Sequence, residues 1–119
     1  MLNAHLETVE KIIVGFIKDA VHKNGFKNGI VGVSGGIDSA VILALTQRAL
    51  GSEHTFGILM PYKLSSEASL NDGKAICEQL NVKYDIVDIS PSVDAYFDRF
   101  PTENKLLIGN KCARERMSV

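Results

Sequence analysis

The sequence predicts an α/β fold, a doubly wound parallel sheet with helices on both faces. Along the 119 residues, short apolar segments rich in β-branched residues alternate with longer segments whose apolar residues recur at three- and four-residue steps. This alternation is typical of βαβ units, in which helices cover a parallel sheet. Right-handed crossovers give the three predicted strands the order 3-2-1. We expect one domain over residues 1–119, and we expect it to be the N-terminal part of a longer protein.

The first half of the chain contains two predicted helices and two predicted strands. An amphipathic helix ends at Asn24-Gly25, and residues 29–33 form a short β-branched strand. A second helix ends at Gly51, and residues 55–60 form a second strand that Pro61 stops. The apolar residues that define the two helices are Leu6, Val9, Ile13, Phe16 and Ala20, then Ile37, Ala40, Val41, Ala44 and Leu45.

The second half predicts a third strand between helices. Ser65 and Ser66 can cap the third helix, and residues 82–89 form the strand. Ser90-Pro91 is typical of a helix start, with a capping serine followed by proline, and residues 105–119 predict the last helix. The apolar residues expected to face the core are Leu70, Ile76, Cys77 and Leu80 in the third helix, then Val93, Phe97 and Phe100 in the fourth.

Composition and charge argue against several classes of protein. A hydrophobic content of 45% and a charged content of 23% are those of a globular domain. The net charge of -1 gives no field that attracts nucleic acid or an anionic membrane. Cys77 and Cys112 have no neighbours at zinc-site spacing, which predicts reduced, buried thiols. No secretory leader and no stretch of about 20 apolar residues is found, so we expect a soluble cytoplasmic protein.

The segment SGGIDS, residues 34–39, interrupts the apolar residues between the first strand and the second helix. A helix that starts after a glycine-rich turn presents unpaired backbone N–H groups and a positive dipole end, which bind phosphate. Gly35 and Gly36 can adopt positive φ, and both serine hydroxyls can donate hydrogen bonds. The Asp38 carboxylate would repel a phosphate unless a divalent cation lay between them. The pattern therefore predicts a magnesium-bound polyphosphate.

Two other phosphate-binding loops are excluded, and a plain turn is the structural alternative. No lysine occurs between Gly29 and Gln47, as a Walker loop would require, and the glycine spacing does not match a dinucleotide fingerprint. The same residues could form only a tight turn, with a capping serine and an acid that complements the helix dipole. Their combination after a buried strand favours the phosphate site.

Residues 34–39 resemble the SGGxDS loop of the ATP pyrophosphatase superfamily, whose members split ATP between the α and β phosphates and adenylate a substrate. The superfamily includes NAD, GMP, asparagine and argininosuccinate synthetases and some tRNA-modifying enzymes. Residues 108–119, IGNKCARERMSV, are similar to the G-N-x-x-A-R-x-R-M stretch of NAD synthetases, and residues 59–66, LMPYKLSS, resemble their loop near the adenine site. The chain thus resembles the N-terminal portion of an ammonia-dependent NAD synthetase, with an adenine nucleotide alpha-hydrolase-like fold.

The resemblance implies a ligase that adenylates deamido-NAD with ATP and amidates it with ammonia, giving NAD, AMP and pyrophosphate. It implies Mg²⁺ bound by Asp38, deamido-NAD bound by Arg114, no catalytic side chain in this chain, and a homodimer that uses the helix over residues 109–117. Arg114 and Arg116 lie about 200° apart on a helix, so they cannot serve one small site equally. The residues implied in ATP and pyrophosphate binding are Gly32, Val33, Ser34, Gly35, Gly36, Ile37, Asp38 and Ser39.

Two further hypotheses stay open at the level of sequence. Another adenylating ligase or a tRNA-modifying enzyme would carry the same loop, although residues 109–117 argue against it. A nucleotide-binding fragment without turnover is the other, because the family's second metal ligand, a glutamate, lies beyond the point that corresponds to Val119. We therefore expect negligible turnover from these 119 residues alone. No glutaminase nucleophile is found, which fits free ammonia as the donor.

Overall fold

The computed structural model describes residues 2–63 and 66–119, which form a parallel sheet with packed helices, as the sequence predicts. A short 3-10 turn, Ser52–His54, precedes the second strand. Ser65, one of the two predicted capping residues, lies outside the described residues. The elements are α1 (Leu2–Lys23), β1 (Gly29–Gly32), α2 (Ile37–Leu50), β2 (Thr55–Leu59), α3 (Glu67–Gln79), β3 (Lys83–Ile86), α4 (Ser90–Arg99) and α5 (Lys105–Ser118).

The sheet brings the ends of β1 and β2 together. Its strand order is β1-β2-β3 with both pairs parallel, which confirms the expected order. Ile30 pairs with Phe56, and Ile58 pairs with Asp85. The prediction that the first strand is buried is wrong for β1, because Ile30 is 68% exposed and only Val33, just after the strand, is buried. Because neighbouring parallel strands end at the same edge of a sheet, the chain segments that follow β1 and β2 border one another there.

A first group of buried residues, the sheet cluster, fixes α2 and α3 against the strands. Gly57 of β2 allows this close packing, since a Cβ atom there would lie 2.9 Å from the Cys77 sulfur on α3. The four residues of α3 expected to face the core all pack in or against this cluster, as predicted. The sheet cluster consists of Val33, Leu43, Leu59, Cys77 and Val82.

A second group of buried residues, the helix cluster, attaches α4 and α5 to the chain that follows β2. Met60, Phe97 and Ile108 pack against it, so it links β2 to both C-terminal helices. This packing places the last turn of α5 at the carboxyl edge of the sheet. There Arg116 forms a hydrogen bond with the Met60 carbonyl, 56 positions away in sequence. The helix cluster consists of Tyr62, Ile89, Val93 and Cys112.

The boundaries of β3 and α4 differ from the prediction for identifiable reasons. The third strand was predicted over residues 82–89 but spans only Lys83–Ile86. Val82 donates its N–H to the Cys77 carbonyl at 2.9 Å and so belongs to the end of α3. Ile89 donates its N–H to the Pro61 carbonyl at 3.0 Å, beyond the end of β2.

Ser90 is the first residue of α4 and does not cap it, because Ile89 occupies the N-cap position. The Ser90 N–H donates to Asp88 Oδ1 at 2.8 Å. A backbone N–H group at the start of α4 is therefore bound by the Asp88 carboxylate, where the sequence predicted a serine hydroxyl as the acceptor.

The helix α1 is confirmed, but the stripe of apolar residues that defines it in the sequence does not face α2. Phe16, in the middle of that stripe, is 74% exposed. The half-buried side chains are instead those of Glu10, Val14, Ile17 and Val21, which lie on a neighbouring face of the helix. Glu10 also forms an ion pair with Arg48 of α2. Helical periodicity therefore predicted the helix correctly but did not identify its packed face.

The inward orientation predicted for Phe100 is wrong, whereas Val93 is fully buried and Phe97 packs against the helix cluster. Since α4 ends at Arg99, Phe100 leaves the helical periodicity and is 55% exposed. Its ring lies against Tyr96, with the ring centroids 5.3 Å apart.

Among the described residues, no helix is long and apolar enough to cross a bilayer.

Candidate functional site

The turn over residues 34–39 connects β1 to α2 at the carboxyl edge of the sheet. Val33, just before it, is buried and donates its N–H to the Ile58 carbonyl at 2.9 Å, which extends the pairing of the two strands. Gly36 is the N-cap of α2, and no side chain of the described residues caps that helix. Backbone N–H groups in the first turn of a helix lack intrahelical acceptors, so this end is suited to an anion. Ile37, Asp38 and Ser39 belong to that first turn.

Gly35 is required at its position for two reasons. Its φ of +84° lies in the left-handed region that favours glycine. A Cβ atom there would also fall on the backbone carbonyl of Ser69, in the first turn of α3. The 34–39 turn therefore lies directly against the start of α3. The expectation of positive φ is confirmed for Gly35 but not for Gly36, whose φ is -84°.

The two serine hydroxyls of the turn bond to each other and to the turn's own backbone. Ser34 Oγ and Ser39 Oγ are 3.0 Å apart, and the Ser34 N–H donates to Ser39 Oγ at 3.0 Å. Ser34 Oγ also accepts from the Gly36 N–H at 3.2 Å, and Ser39 Oγ donates to the Gly36 carbonyl at 3.2 Å. These bonds hold the turn in shape, a positioning function that the sequence did not indicate.

A cleft of about 520 Å³ opens beside the turn, at the carboxyl ends of β1 and β2. Its volume falls in the range of small-molecule sites. Ser66, at its edge, caps α3 by accepting the Ser69 N–H at 3.3 Å, so the positive end of a second helix dipole borders the cleft. The cleft is lined by Gly32, Val33, Ser34, Leu59, Met60, Pro61, Ser66, Ser69, Leu70, Arg116 and Met117.

Asp38 is the carboxylate of the 34–39 turn, and its side chain is exposed on the first turn of α2. Within the described ranges, no group of three or more His, Cys, Asp or Glu side chains gathers to hold a metal ion. A single carboxylate still suits Mg²⁺, which in nucleotide sites takes one or two carboxylates and completes its shell with water and phosphate oxygens. The arrangement fits a cation that arrives with a polyphosphate.

The two arginines of α5 occupy different environments, as their angular separation predicts. Arg114 is exposed, whereas Arg116 is half-buried and lines the cleft. The Arg116 Nε–H donates to the Met60 carbonyl at 2.9 Å. The role of Arg114 in substrate binding stays a prediction. Sequence reasoning did not find the contact of Arg116 with Met60. Its position one turn after the buried Cys112 could have indicated that Arg116 faces inward.

The segment after β2, the β2 loop (residues 60–63 and 66 of the described chain), forms the other wall of the cleft. The Lys63 N–H donates to Ser90 Oγ at 2.8 Å, and Lys63 Nζ forms an ion pair with Asp94 at 2.8 Å. The Tyr62 hydroxyl donates to Asp94 Oδ1 at 3.2 Å. Burial raises the pKa of Tyr62, and the hydrogen bond to Asp94 adds to that rise. These contacts hold the loop to α4.

Comparisons with known proteins agree on one family. The family model described as NAD synthase matches residues 9–119. An NH(3)-dependent NAD(+) synthetase from Trichlorobacter lovleyi is 44% identical over 118 residues, which are 99% of this chain and 43% of that protein. One from Chlorobium phaeobacteroides strain BS1 is 42% identical over 98% of this chain and 42% of that protein. The chain thus spans less than half the length of these curated relatives.

Solved structures are similar in the same region. The NH3-dependent NAD synthetase from Campylobacter jejuni, in complex with nitrate, has a TM-score of 0.87 and 34% identity, over 94% of this chain and 48% of that one. The glutamine-dependent NAD+ synthetase from Acinetobacter baumannii, in complex with ADP, has a TM-score of 0.81 and 30% identity, over 87% of this chain and 21% of that one. Both agree with the parallel sheet and helices described above.

Proposed function

The chain belongs to the NAD synthase family, and on that premise we propose that it forms the nucleotide-binding domain of a cytoplasmic, ammonia-dependent NAD synthetase. The observation that supports this most directly is the 34–39 turn, because an uncapped helix start lies there beside a cleft of nucleotide size. The ATP and pyrophosphate residues in this proposal are those over 32–39. Arg114 contacts deamido-NAD, and Asp38 holds Mg²⁺.

The proposed reaction has two steps, in which the protein mainly positions the reactants and neutralises charge. In the first, an oxygen of the nicotinate carboxylate attacks the α-phosphorus of ATP, the bond to the bridging oxygen breaks, and pyrophosphate leaves. In the second, ammonia attacks the activated carbonyl carbon, the bond to AMP breaks, and a proton is released as the amide of NAD forms. Mg²⁺, when bound, neutralises phosphate charge. The backbone N–H groups in the first turn of α2, at Ile37, Asp38 and Ser39, hold the phosphate oxygens in place.

The same proposal includes a homodimer. Leu106 and Leu107, neighbours at the start of α5, are 71% and 50% exposed, so the described residues leave apolar surface of this helix uncovered. We propose that α5 packs against a second copy of the chain. Light scattering on the purified protein checks this, and a monomer at all concentrations would contradict it.

Titration with ATP in the presence and absence of Mg²⁺ tests the site. We expect Asp38→Asn to remove the magnesium-dependent part of ATP binding, about tenfold in affinity or about 1.4 kcal/mol, because an amide lacks the charge that balances Mg²⁺. Asp98→Asn is the matched control, since Asp98 is an exposed aspartate on α4, away from the turn. Equal losses with and without Mg²⁺ would show that Asp38 is not a metal ligand.

The overall reaction is tested on the protein expressed from its whole gene. Deamido-NAD, ATP and ammonium chloride together should yield NAD and AMP in equal amounts, and omission of any one should stop both products. AMP that appears without deamido-NAD, or NAD that fails to appear with all three, would contradict the proposed activity. ATP binding without turnover by the 119-residue chain would favour the nucleotide-binding alternative for that chain.

A further inference from the structure

Among the described residues that line the cleft, Arg116 is the only one with a charged side chain. The other polar side chains of this lining belong to Ser34, Ser66 and Ser69, and none is a carboxylate. The acidic residue nearest to Arg116 in sequence, Glu115, is paired with Lys111 at 2.9 Å. The cleft therefore has a positive charge that no acidic side chain of its lining neutralises.

Within residues 2–63 and 66–119, the guanidinium of Arg116 is anchored through one nitrogen. Its Nε–H donates to the Met60 carbonyl at 2.9 Å, and this carbonyl directly follows β2. Among the described residues, its terminal nitrogens donate to no protein acceptor. A guanidinium is planar and carries five N–H donors in a fixed fork, so a bond at Nε sets the plane in which the terminal groups point. The anchor leaves a fork of donors for a ligand.

We propose that the terminal guanidinium groups of Arg116 bind a phosphate group of the nucleotide in the cleft, while its Nε–H holds the residue to the Met60 carbonyl. This inference rests on the proposed function and adds a phosphate-binding residue to its site. A fork of N–H donors matches phosphate oxygens in pairs, whereas adenine and ribose offer no such charged partner. The triphosphate of ATP and the diphosphate of a dinucleotide share this chemistry.

Calorimetric titration of the protein with adenosine, ADP, ATP and deamido-NAD tests the inference. We expect Arg116→Gln to weaken binding of at least one phosphate-bearing ligand about tenfold or more, since hydrogen bonds between charged groups are stronger than those between neutral ones. Adenosine affinity should stay within about twofold because it has no phosphate. Loss for ADP and ATP would identify the ATP phosphates as the ligand, and loss for deamido-NAD alone would identify the dinucleotide.

Two further variants make the test independent of folding. Lys105→Gln removes one exposed positive charge from the same helix and should leave all four affinities within about twofold. Arg116→Lys keeps the charge without the fork, so we expect a loss smaller than that of Arg116→Gln. Thermal unfolding of each variant shows whether it is folded, and Arg116→Lys provides the readout if Arg116→Gln is not.

The outcomes separate this inference from the proposed function. Binding of ATP and deamido-NAD that both Arg116 variants leave unchanged would overturn the inference alone. An equal loss for adenosine and ATP would also overturn it, because the arginine would then contact the nucleoside or only hold the loop. Failure of the unaltered protein to bind ATP would overturn the proposed function together with the inference.

Discussion

The two chain segments that border the cleft are held in place in different ways. The 34–39 turn is held by hydrogen bonds between residues at most five positions apart, all of them among Ser34, Gly36 and Ser39. The β2 loop is held by partners 27, 32 and 56 positions away, on α4 and α5. One wall of the site is built locally, and the other depends on how the second half of the chain packs.

The difference shows which part of the site is held by its own residues and which part depends on the packing of distant helices. The bonds of the 34–39 turn need only their own residues and the contact of Gly35 with α3. The β2 loop requires the helix cluster first, because Asp94 and Arg116 reach it only when α4 and α5 are packed. We therefore expect the two walls to respond differently to substitution.

The largest effect is expected from Gly35→Ala, which breaks the local wall. The new Cβ atom combines a strained positive φ with a clash against the Ser69 carbonyl, so we expect a loss of about 3 kcal/mol in the free energy of unfolding. ATP binding should be lost as well, because the turn must move. Urea unfolding and calorimetry measure both.

Gly25→Ala is the matched control for that substitution. Gly25 also has positive φ, at +79°, but a Cβ atom there meets nothing within 4 Å. We expect a loss of only about 1 kcal/mol from backbone strain, with ATP affinity unchanged. Equal losses for the two variants would show that the contact between the turn and α3 contributes nothing.

A smaller effect is expected from Asp94→Ala, which removes two of the contacts that hold the distant wall. The Tyr62 hydroxyl and Lys63 Nζ both lose their partner, and we expect the melting temperature to fall by about 4 °C. Asp94→Asn keeps an acceptor for the Tyr62 hydroxyl, so its melting temperature should fall less than that of Asp94→Ala. The magnesium-dependent part of ATP binding should persist in both, since the 34–39 turn is unaltered. Its loss would mean that the two walls are not held independently.

The smallest effect is a pH dependence from Asp88, which accepts the Ser90 N–H at the start of α4. Hydrogen bonds from the Ser90 hydroxyl and backbone lower the pKa of this carboxyl below its usual value. A lowered folded-state pKa stabilises the fold above the unfolded-state value, and this stabilisation is lost as pH falls through the folded-state value. Urea unfolding between about pH 6 and pH 3 should show a shallower decline for Asp88→Asn than for the unaltered protein. Identical slopes would contradict the assignment.

The sequence alone determined the features that depend on short-range chemistry. Alternating segments predicted every helix and strand of the described chain, and the parallel order followed from the handedness of crossovers. The 34–39 turn was recognisable because glycines, hydroxyls and an acid between an apolar strand and a helix are typical of a phosphate site. The local need for Gly35 was also predictable, since positive φ is a property of one residue. Such features need no knowledge of distant partners.

Only the tertiary structure decided which faces pack and which side chains meet. Periodicity could not show that α1 packs through Val14 and Ile17 while Phe16 is exposed, because both stripes of the helix are apolar. Nor could it show that Arg116 reaches the Met60 carbonyl 56 positions away, since that contact exists only after the helix cluster has joined α5 to β2. Long-range contacts depend on the packing of whole elements, and no local pattern of residues encodes them one by one.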